Sequence, residues 1–149
     1  MSYWDTSALV KLYAKESDST SFEKHAASTI GPIVTSRIGL YEARATFLRK
    51  EIDGALQPNA AQTLYLKLLQ DVASGQLQLV DLSTDIEQEY SQVLELCYRN
   101  SSPGPIPLRT LDALHLASCR LIGQTELVAT DKRLREAARF LKISLFPPN

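Results

Sequence analysis

Short strand-like stretches alternate with longer helical ones along the whole chain, and this alternation limits the possible folds more than any other feature. The β-favouring stretches cover residues 2–4, 33–36, 77–82, 126–130 and 143–146. Strands separated by helices form a mostly parallel sheet with both faces covered. We therefore predict an α/β fold in three layers, with a mostly parallel central sheet of about five strands and helices on both faces.

Helical periodicity and chain breakers give the expected helices. Gly31-Pro32, Gly54 and the proline-rich stretch 103–107 interrupt the pattern, and Ser83 with Glu87 resembles a helix-capping box. The predicted helices cover about 8–13, 18–28, 37–51, 58–73, 85–99, 108–122 and 132–141. The chain of 149 residues fits one domain, residues 1–149, better than two.

Composition excludes several classes of protein. With 44% hydrophobic and 22% charged residues, the chain is typical of a globular protein rather than a disordered one. Cys97 and Cys119 form no C-x-x-C pair, which indicates reduced thiols. Trp4 follows Met1 too closely for a signal peptide, and no apolar run approaches the roughly 20 residues that span a bilayer. We therefore expect a soluble cytoplasmic protein with no membrane partner.

The charge balance neither supports nor excludes a nucleic-acid partner. Sixteen basic and seventeen acidic residues leave a formal charge of −1, whereas nucleic-acid binders usually carry a basic excess. Carboxylates gathered in one site would lower the total even if basic residues lay elsewhere on the surface.

Four carboxylates lie among apolar or small residues, at Asp5, Glu42, Asp112 and Asp131. Asp5 and Asp131 each follow a short apolar strand, which is where ligands bind in parallel α/β sheets. A lone buried carboxylate costs several kcal/mol and several together repel one another. A divalent cation relieves both costs, and oxygen ligands favour Mg²⁺ or Mn²⁺.

Each carboxylate also has a purely structural interpretation. Asp5 and Asp131 are placed to cap the helices that follow them. Glu42 could pair with Arg44 or Arg49 on a helix surface, and Asp112 could pair with Arg109, three residues earlier. None of these roles excludes metal binding, so the joint pattern rather than any single residue indicates a site.

That joint pattern resembles the PIN domain family, and in particular its VapC-type toxin ribonucleases. The matching stretches are residues 3–13, Thr35-Ser36 with 41–43, 109–117, and 127–134, and together they extend over essentially the whole chain. One departure concerns Ala129, because many relatives carry Thr or Ser two residues before the last acidic residue. Thr130 could supply a hydroxyl group instead, and Asp131 is the carboxylate that this departure puts in question.

The resemblance implies an endoribonuclease that depends on Mg²⁺ or Mn²⁺, with Asp5, Glu42, Asp112 and Asp131 as catalytic metal ligands. We expect metal-activated water to cleave RNA in line, which leaves 5′-phosphate and 3′-hydroxyl ends. The expected positions for supporting or phosphate contacts are Thr6, Ser7, Arg109 and Thr130. The resemblance also implies a cognate antitoxin protein as partner, and a homodimer.

His115 follows Asp112 by three residues but lies in an apolar helix. A histidine in such a helix is more often a packed core residue than a base, and metal-activated water does not need one, so we predict a core role. The further candidates for phosphate contacts are Lys11, Lys15, Lys132, Arg133 and Arg135.

Three other functions fit parts of this pattern. A phosphotransferase of the haloacid dehalogenase type needs a second Asp two residues after the first, where this chain has Ser7. A phosphoacceptor receiver domain needs an acidic pair after the first strand, and Asp5 has no acidic neighbour. The open alternative is a PIN-like module that binds RNA or a protein without cutting.

Overall fold

A computed structural model describes residues 1–123 and 126–148. The strands in this part of the chain are β1 (Ser2–Trp4), β2 (Ile33–Ser36), β3 (Leu77–Val80), β4 (Glu126–Val128) and β5 (Ser144–Phe146). The helices are α1 (Thr6–Leu9), continued by a 3-10 turn (Val10–Leu12), α2 (Ser19–Ser28), α3 (Arg37–Ile52), α4 (Ala60–Ala73), α5 (Thr84–Arg99), α6 (Thr110–Leu121) and α7 (Lys132–Phe140).

The strands form one parallel sheet in the order β3-β2-β1-β4-β5. The predicted α/β class, parallel pairing and strand number are confirmed. The order reverses at β1, because the chain first builds outward through β2 and β3 and then crosses to β4 and β5. Parallel sheets bind ligands at the carboxyl ends of the strands beside such a reversal. Asp5 follows β1 at this point, and its N–H donates to the carbonyl oxygen of Val128 at 3.1 Å.

The side chains of the central strand alternate between two core layers. Tyr3 is fully buried in a layer with residues of α5, α6 and α7, and Trp4 is fully buried in a second layer with residues of α1 to α4. Successive strand residues point to opposite faces of a sheet. Leu127 and Val128 of β4 divide between the same two layers. The predicted arrangement of helices on both faces is therefore present.

Polar side chains begin several helices. The carboxylate of Asp5 accepts from the N–H of Ala8, and the hydroxyl oxygen of Ser83 accepts from the N–H of Ile86. These bonds satisfy N–H groups that have no partner inside the helix. Helix boundaries agree with prediction within about two residues for most helices. The first helix differs: it begins at Thr6 and changes to a 3-10 turn at Val10, whereas the sequence predicts a helix over 8–13.

Gly39 allows the first turn of α3 to lie against the β2 and α1 segments. A Cβ atom at this position would stand 2.7 Å from Oγ1 of Thr35 and 3.5 Å from Oγ1 of Thr6. Oγ1 of Thr35 is fixed, because it donates to the carbonyl oxygen of Trp4 at 2.7 Å. The missing side chain therefore brings α3, with Glu42 one turn further on, close to the end of β1.

Both cysteines are buried thiols, Cys97 in α5 and Cys119 in α6. Burial raises the pKa of the Cys119 thiol to about 12, so it stays protonated. Within the described residues, no helix is both long enough and apolar enough to cross a bilayer.

Candidate active site

The four predicted carboxylates come from four elements on the same side of the fold. Asp5 is the N-cap of α1, Glu42 lies in the second turn of α3, Asp112 lies in the first turn of α6, and Asp131 is the N-cap of α7. Their connections pass through Thr6, Ser7 and Arg109, which the sequence also singles out. These residues are separated by up to 126 positions in the chain, and their hydrogen bonds form three groups, around Asp5, around Glu42 and around Arg109. The groups join into one polar network only through neighbouring residues of the chain, Thr6 with Ser7 and Thr130 with Asp131.

Asp5 is the most deeply placed of the four, with 5% of its surface exposed. Its carboxylate accepts from the hydroxyl of Ser7 at 2.7 Å and from the N–H of Ala8 at 3.2 Å. Burial raises the pKa of Asp5 to about 6, although His115 and these hydrogen bonds partly oppose the shift. The negative charge of Asp5 is therefore costly, and a cation beside it would stabilise it.

Glu42 has well-placed donors. Its Oε1 atom accepts from the hydroxyl of Thr6 at 2.9 Å and lies 2.6 Å from Nε2 of His115. Burial alone would raise the pKa of Glu42, but the His115 contact, the Thr6 bond and the charge of Arg109 outweigh it and lower that pKa. The carboxylate is thus held in its charged form. Among the described residues, Glu42 bonds to Thr6 and His115, whereas spacing along the helix suggested a pair with Arg44 or Arg49.

Arg109 joins the other two carboxylates. Its guanidinium donates to both oxygens of Asp112, at 2.8 and 3.3 Å, and to Oδ2 of Asp131 at 3.2 Å. The other oxygen of Asp131 accepts from the N–H groups of Arg133 and Leu134 at the start of α7. The predicted Arg109–Asp112 pair and the capping role of Asp131 are both present. Both oxygens of Asp131 therefore have donors, as do both oxygens of Asp112.

Ser7 and Thr130 connect the ends of β1 and β4. The hydroxyl of Ser7 donates to Asp5, while the N–H of Thr130 donates to the same hydroxyl at 2.9 Å. Ser7 therefore fixes the position of Asp5 relative to Thr130, the residue before Asp131. Thr130 contributes its backbone to this arrangement, and the side chain at Ala129, the position of the family departure, is fully buried.

The type of ligand in this site suits a hard divalent cation, because carboxylate and hydroxyl oxygens surround a buried charge that is costly to maintain. Among the described residues, no three His, Cys, Asp or Glu side chains already stand in position to enclose an ion. The guanidinium of Arg109 lies between Asp112 and Asp131 and neutralises them instead. The Arg109 side chain is 63% exposed, so it has room to turn away and leave both carboxylates to a cation.

The sequence predicts a core role for His115, and its burial is confirmed, with 2% of its surface exposed. A packing role is not its whole role, because both ring nitrogens have polar partners, Tyr3 on one side and Glu42 on the other. Sequence reasoning missed this link because 73 residues separate His115 from Glu42. The available signal was a polar side chain one helical turn after Asp112.

The candidate phosphate contacts separate into two groups. Lys11 is buried and pairs with Glu16 and Asp18, and Arg135 donates to the carbonyl oxygens of Ala129 and Pro147. These two cations therefore have structural partners within the fold. By contrast, Lys132 and Arg133 are exposed and line a depression beside Asp131, together with Arg109 and Thr130. Exposed Lys15 pairs with Glu23.

The family model described as the PIN domain matches residues 2–140. The chain therefore belongs to the PIN domain family, and its predicted resemblance to that family is confirmed. A relative at 30% identity is "Ribonuclease VapC46" of Mycobacterium tuberculosis, aligned over 99% of this chain and 97% of the relative. This similarity also confirms the resemblance to the VapC type within the family.

Solved structures share the fold. The crystal structure of Mycobacterium tuberculosis VapC20, described as a Sarcin-Ricin loop cleaving toxin, matches with a TM-score of 0.64 at 20% identity, over 92% of this chain and 95% of that one. VapBC2 from Rickettsia felis, bound to a DNA fragment from their promoter, gives 0.63 at 18% identity, over 97% of each chain. A toxin-antitoxin complex from Klebsiella pneumoniae gives 0.59 at 17% identity, over 88% and 87%.

Proposed function

We propose that this protein is an endoribonuclease that depends on Mg²⁺ or Mn²⁺ and that cleaves RNA to 5′-phosphate and 3′-hydroxyl ends. The observation that carries the proposal is the buried carboxylate of Asp5, which lies at the order reversal of the sheet and in one polar network with Glu42, Asp112 and Asp131. Membership of the PIN domain family and the similarity to a VapC-type ribonuclease support the same conclusion.

The residues have distinct roles in this proposal. Asp5, Glu42 and Asp112 would hold the cation, with Asp131 as a further ligand, once Arg109 has turned away from Asp112 and Asp131. A divalent cation in this position activates the attacking water and neutralises charge on the phosphodiester. Ser7 and Thr6 hold the carboxylates of Asp5 and Glu42 through the hydrogen bonds described above.

In this proposal, the exposed basic side chains beside Asp131 bind the RNA substrate. Arg109, Lys132 and Arg133 border the depression next to this carboxylate, where they can meet the phosphates on either side of the cleaved bond. Such contacts are not specific for sequence, so they fix the position of the RNA backbone rather than select a base.

The direct test is incubation of total cellular RNA with the purified protein and Mn²⁺ or Mg²⁺, with chelator in parallel and the new ends mapped. We expect discrete cuts that carry 5′-phosphates, and their loss with chelator and in the Asp112→Asn variant. Asp81→Asn is the matched control, because Asp81 also pairs with an arginine, Arg37, but lies outside the network. A folded protein that gives no cuts at any metal concentration would contradict the proposal and favour a PIN-like binding module.

We further propose that the protein is the toxin of a toxin–antitoxin pair, that a cognate antitoxin inhibits it, and that it acts as a homodimer. The toxin role and the antitoxin are supported by the similarity to VapC46 and by the shared fold with VapBC2 and with a solved toxin-antitoxin complex. The homodimer is proposed from the resemblance to the family alone. Induced expression in a bacterial host should arrest growth, and Asp112→Asn should relieve the arrest. Equal arrest by the wild type and this variant would contradict a toxin role that depends on cleavage.

A further inference from the structure

A line of buried polar groups connects the core to Glu42. The hydroxyl oxygen of Tyr3 lies 2.8 Å from Nδ1 of His115, and Nε2 of the same ring lies 2.6 Å from Oε1 of Glu42. Tyr3 is fully buried and His115 is 2% exposed. Tyr3 belongs to the central strand β1, which pairs with β2 on one side and β4 on the other, so the line begins in the middle of the sheet.

The chemistry of the Tyr3 phenol fixes the direction of these bonds. The phenol hydroxyl of Tyr3 is a hydrogen-bond donor, and Nδ1 of His115 is the acceptor within its reach. A ring that accepts at Nδ1 carries its proton on Nε2, and that N–H points at the Glu42 carboxylate. Tyr3 therefore selects the form of His115 that donates to Glu42.

Thr6 completes the support. Its hydroxyl donates to the same Oε1 atom of Glu42 at 2.9 Å and lies 3.4 Å from Nε2 of His115. Two donors on one oxygen hold the carboxylate in one orientation. Among the described residues, both hydrogen bonds to Glu42 fall on Oε1, so Oε2 is the oxygen that these donors leave to a ligand.

We propose that His115, oriented by Tyr3, is a positioning residue that holds the Glu42 carboxylate ready for a divalent cation. This inference rests on the proposed metal-dependent function. His115 touches neither substrate nor cation; it acts through Glu42. Partners that orient a metal-binding side chain typically contribute about 10-fold to 100-fold in metal affinity or activity.

Two substitutions separate positioning from packing. The side-chain amide of glutamine reaches about as far as Nε2 of histidine, so His115→Gln keeps a donor for Glu42. The amide of asparagine reaches only about as far as Nδ1, so His115→Asn keeps a partner for Tyr3 but loses Glu42. A role in packing alone predicts similar losses for both variants, because each removes the ring from a buried site.

The first measurement is calorimetric titration of each folded variant with Mn²⁺, without RNA. We expect His115→Asn to weaken Mn²⁺ binding at least about 10-fold and His115→Gln to stay within about 3-fold of wild type. His25 supplies the control, because its Nε2 atom lies 2.9 Å from Oε1 of Glu126, a second His–Glu pair outside the network. His25→Asn should leave Mn²⁺ affinity unchanged. Equal weakening by His115→Asn and His115→Gln would overturn the proposal.

A second measurement does not depend on metal. Nitrogen-15 NMR of the metal-free protein should show His115 with its proton on Nε2 and protected from exchange with water. Glu42→Ala, which removes the acceptor, should abolish the protection, and Tyr3→Phe should change the protonation pattern of the ring. Retention of the wild-type signal in both variants would overturn the proposal. If the wild type binds no Mn²⁺ but shows the expected ring signals, the proposed function fails while the His115–Glu42 arrangement stands.

Discussion

At the scale of single residues, the candidate site contains a charge that the fold holds at a cost. Asp5 is 5% exposed, and its described hydrogen-bond donors are a hydroxyl and a backbone N–H. The network therefore combines one carboxylate with a raised pKa and one, Glu42, whose pKa is lowered by its neighbours. Paired groups with such different environments are typical of functional sites.

The raised pKa of Asp5 predicts how stability depends on pH. Burial raises this pKa from an ordinary 3.8 to about 6, so between these values the folded protein binds more protons than the unfolded chain. The contribution of Asp5 to the free energy of unfolding therefore falls as pH rises from about 4 to about 6, by at most about 3 kcal/mol. Asp5→Asn should make the metal-free protein more stable than wild type at about pH 7.5 but not at about pH 4.

Urea denaturation of both proteins in chelator at these two pH values measures this effect. Working with the difference between variant and wild type removes the pH dependence of the other groups. Asp53→Asn is the control, because Asp53 is exposed at the end of α3. A stability difference between Asp5→Asn and wild type that is the same at both pH values would show that the Asp5 charge is not costly in the fold.

Arg109 predicts a competition between guanidinium and cation. Its positive charge lies between Asp112 and Asp131, where a divalent ion would need the same oxygens. Arg109→Gln should therefore bind Mn²⁺ about threefold or more tightly in the absence of RNA, and it should hold RNA more weakly because a phosphate contact is lost. Calorimetric titration with Mn²⁺ and a filter-binding assay with RNA give the two numbers.

Arg37→Gln is the matched comparison for Arg109→Gln. Arg37 also pairs with an aspartate, Asp81, but neither residue belongs to the network of four carboxylates. Its removal should leave Mn²⁺ affinity unchanged. If Arg109→Gln binds Mn²⁺ less tightly than wild type, Arg109 supports the cation rather than competes with it.

At the scale of elements, the approach of α3 to the end of β1 depends on a single missing side chain. Gly39→Ala would place a Cβ atom 2.7 Å from Oγ1 of Thr35, a hydroxyl that is fully buried and bonded to the carbonyl of Trp4. We expect a loss of about 1–3 kcal/mol in the free energy of unfolding, which is typical of overpacking. Cleavage should also fall in the folded fraction, since α3 carries Glu42.

Gly104→Ala is the control for this substitution. In the part of the chain that the structure describes, nothing lies within 4 Å of a Cβ atom built at Gly104, whose φ angle is not positive. Its free energy of unfolding should stay within about 0.5 kcal/mol of wild type. Urea denaturation of the two variants separates them. If Gly39→Ala loses no more free energy of unfolding than Gly104→Ala, then Thr35 can move aside without destabilising the fold.

At the scale of the whole molecule, local sequence patterns predicted most of the helices and strands but not the contacts between them. Ser83 with Glu87 predicted the start of α5. Gly31-Pro32 marked the beginning of the strand at 33–36. Such signals act between near neighbours. The strand order, by contrast, depends on packing between segments over a hundred residues apart, such as the pairing of Tyr3 with Leu127.

The same difference of range explains which parts of the site were predictable. The four carboxylates stood out because each lies among apolar residues. The burial of Lys11 could not be predicted from the sequence. Its partner Asp18 and its neighbour Phe22 come close to it only when the chain folds around the 3-10 turn. Contacts such as Arg109 to Asp131 and His115 to Glu42 join separate helices, and no periodicity within one helix reveals them.

The position of β1 in the sheet also determines when the site is completed during synthesis. Among the described strands of the sheet, β1 is synthesised before the others, yet one of its two neighbours is β4, which begins at residue 126. Domains that are synthesised from the N-terminus cannot finish a sheet before its last central strand is available. An interrupted translation product that stops before β4 therefore carries Asp5 and Glu42 but lacks the strand that closes the site and Asp131 beyond it. The site is therefore assembled only after β4 and Asp131 have been synthesised.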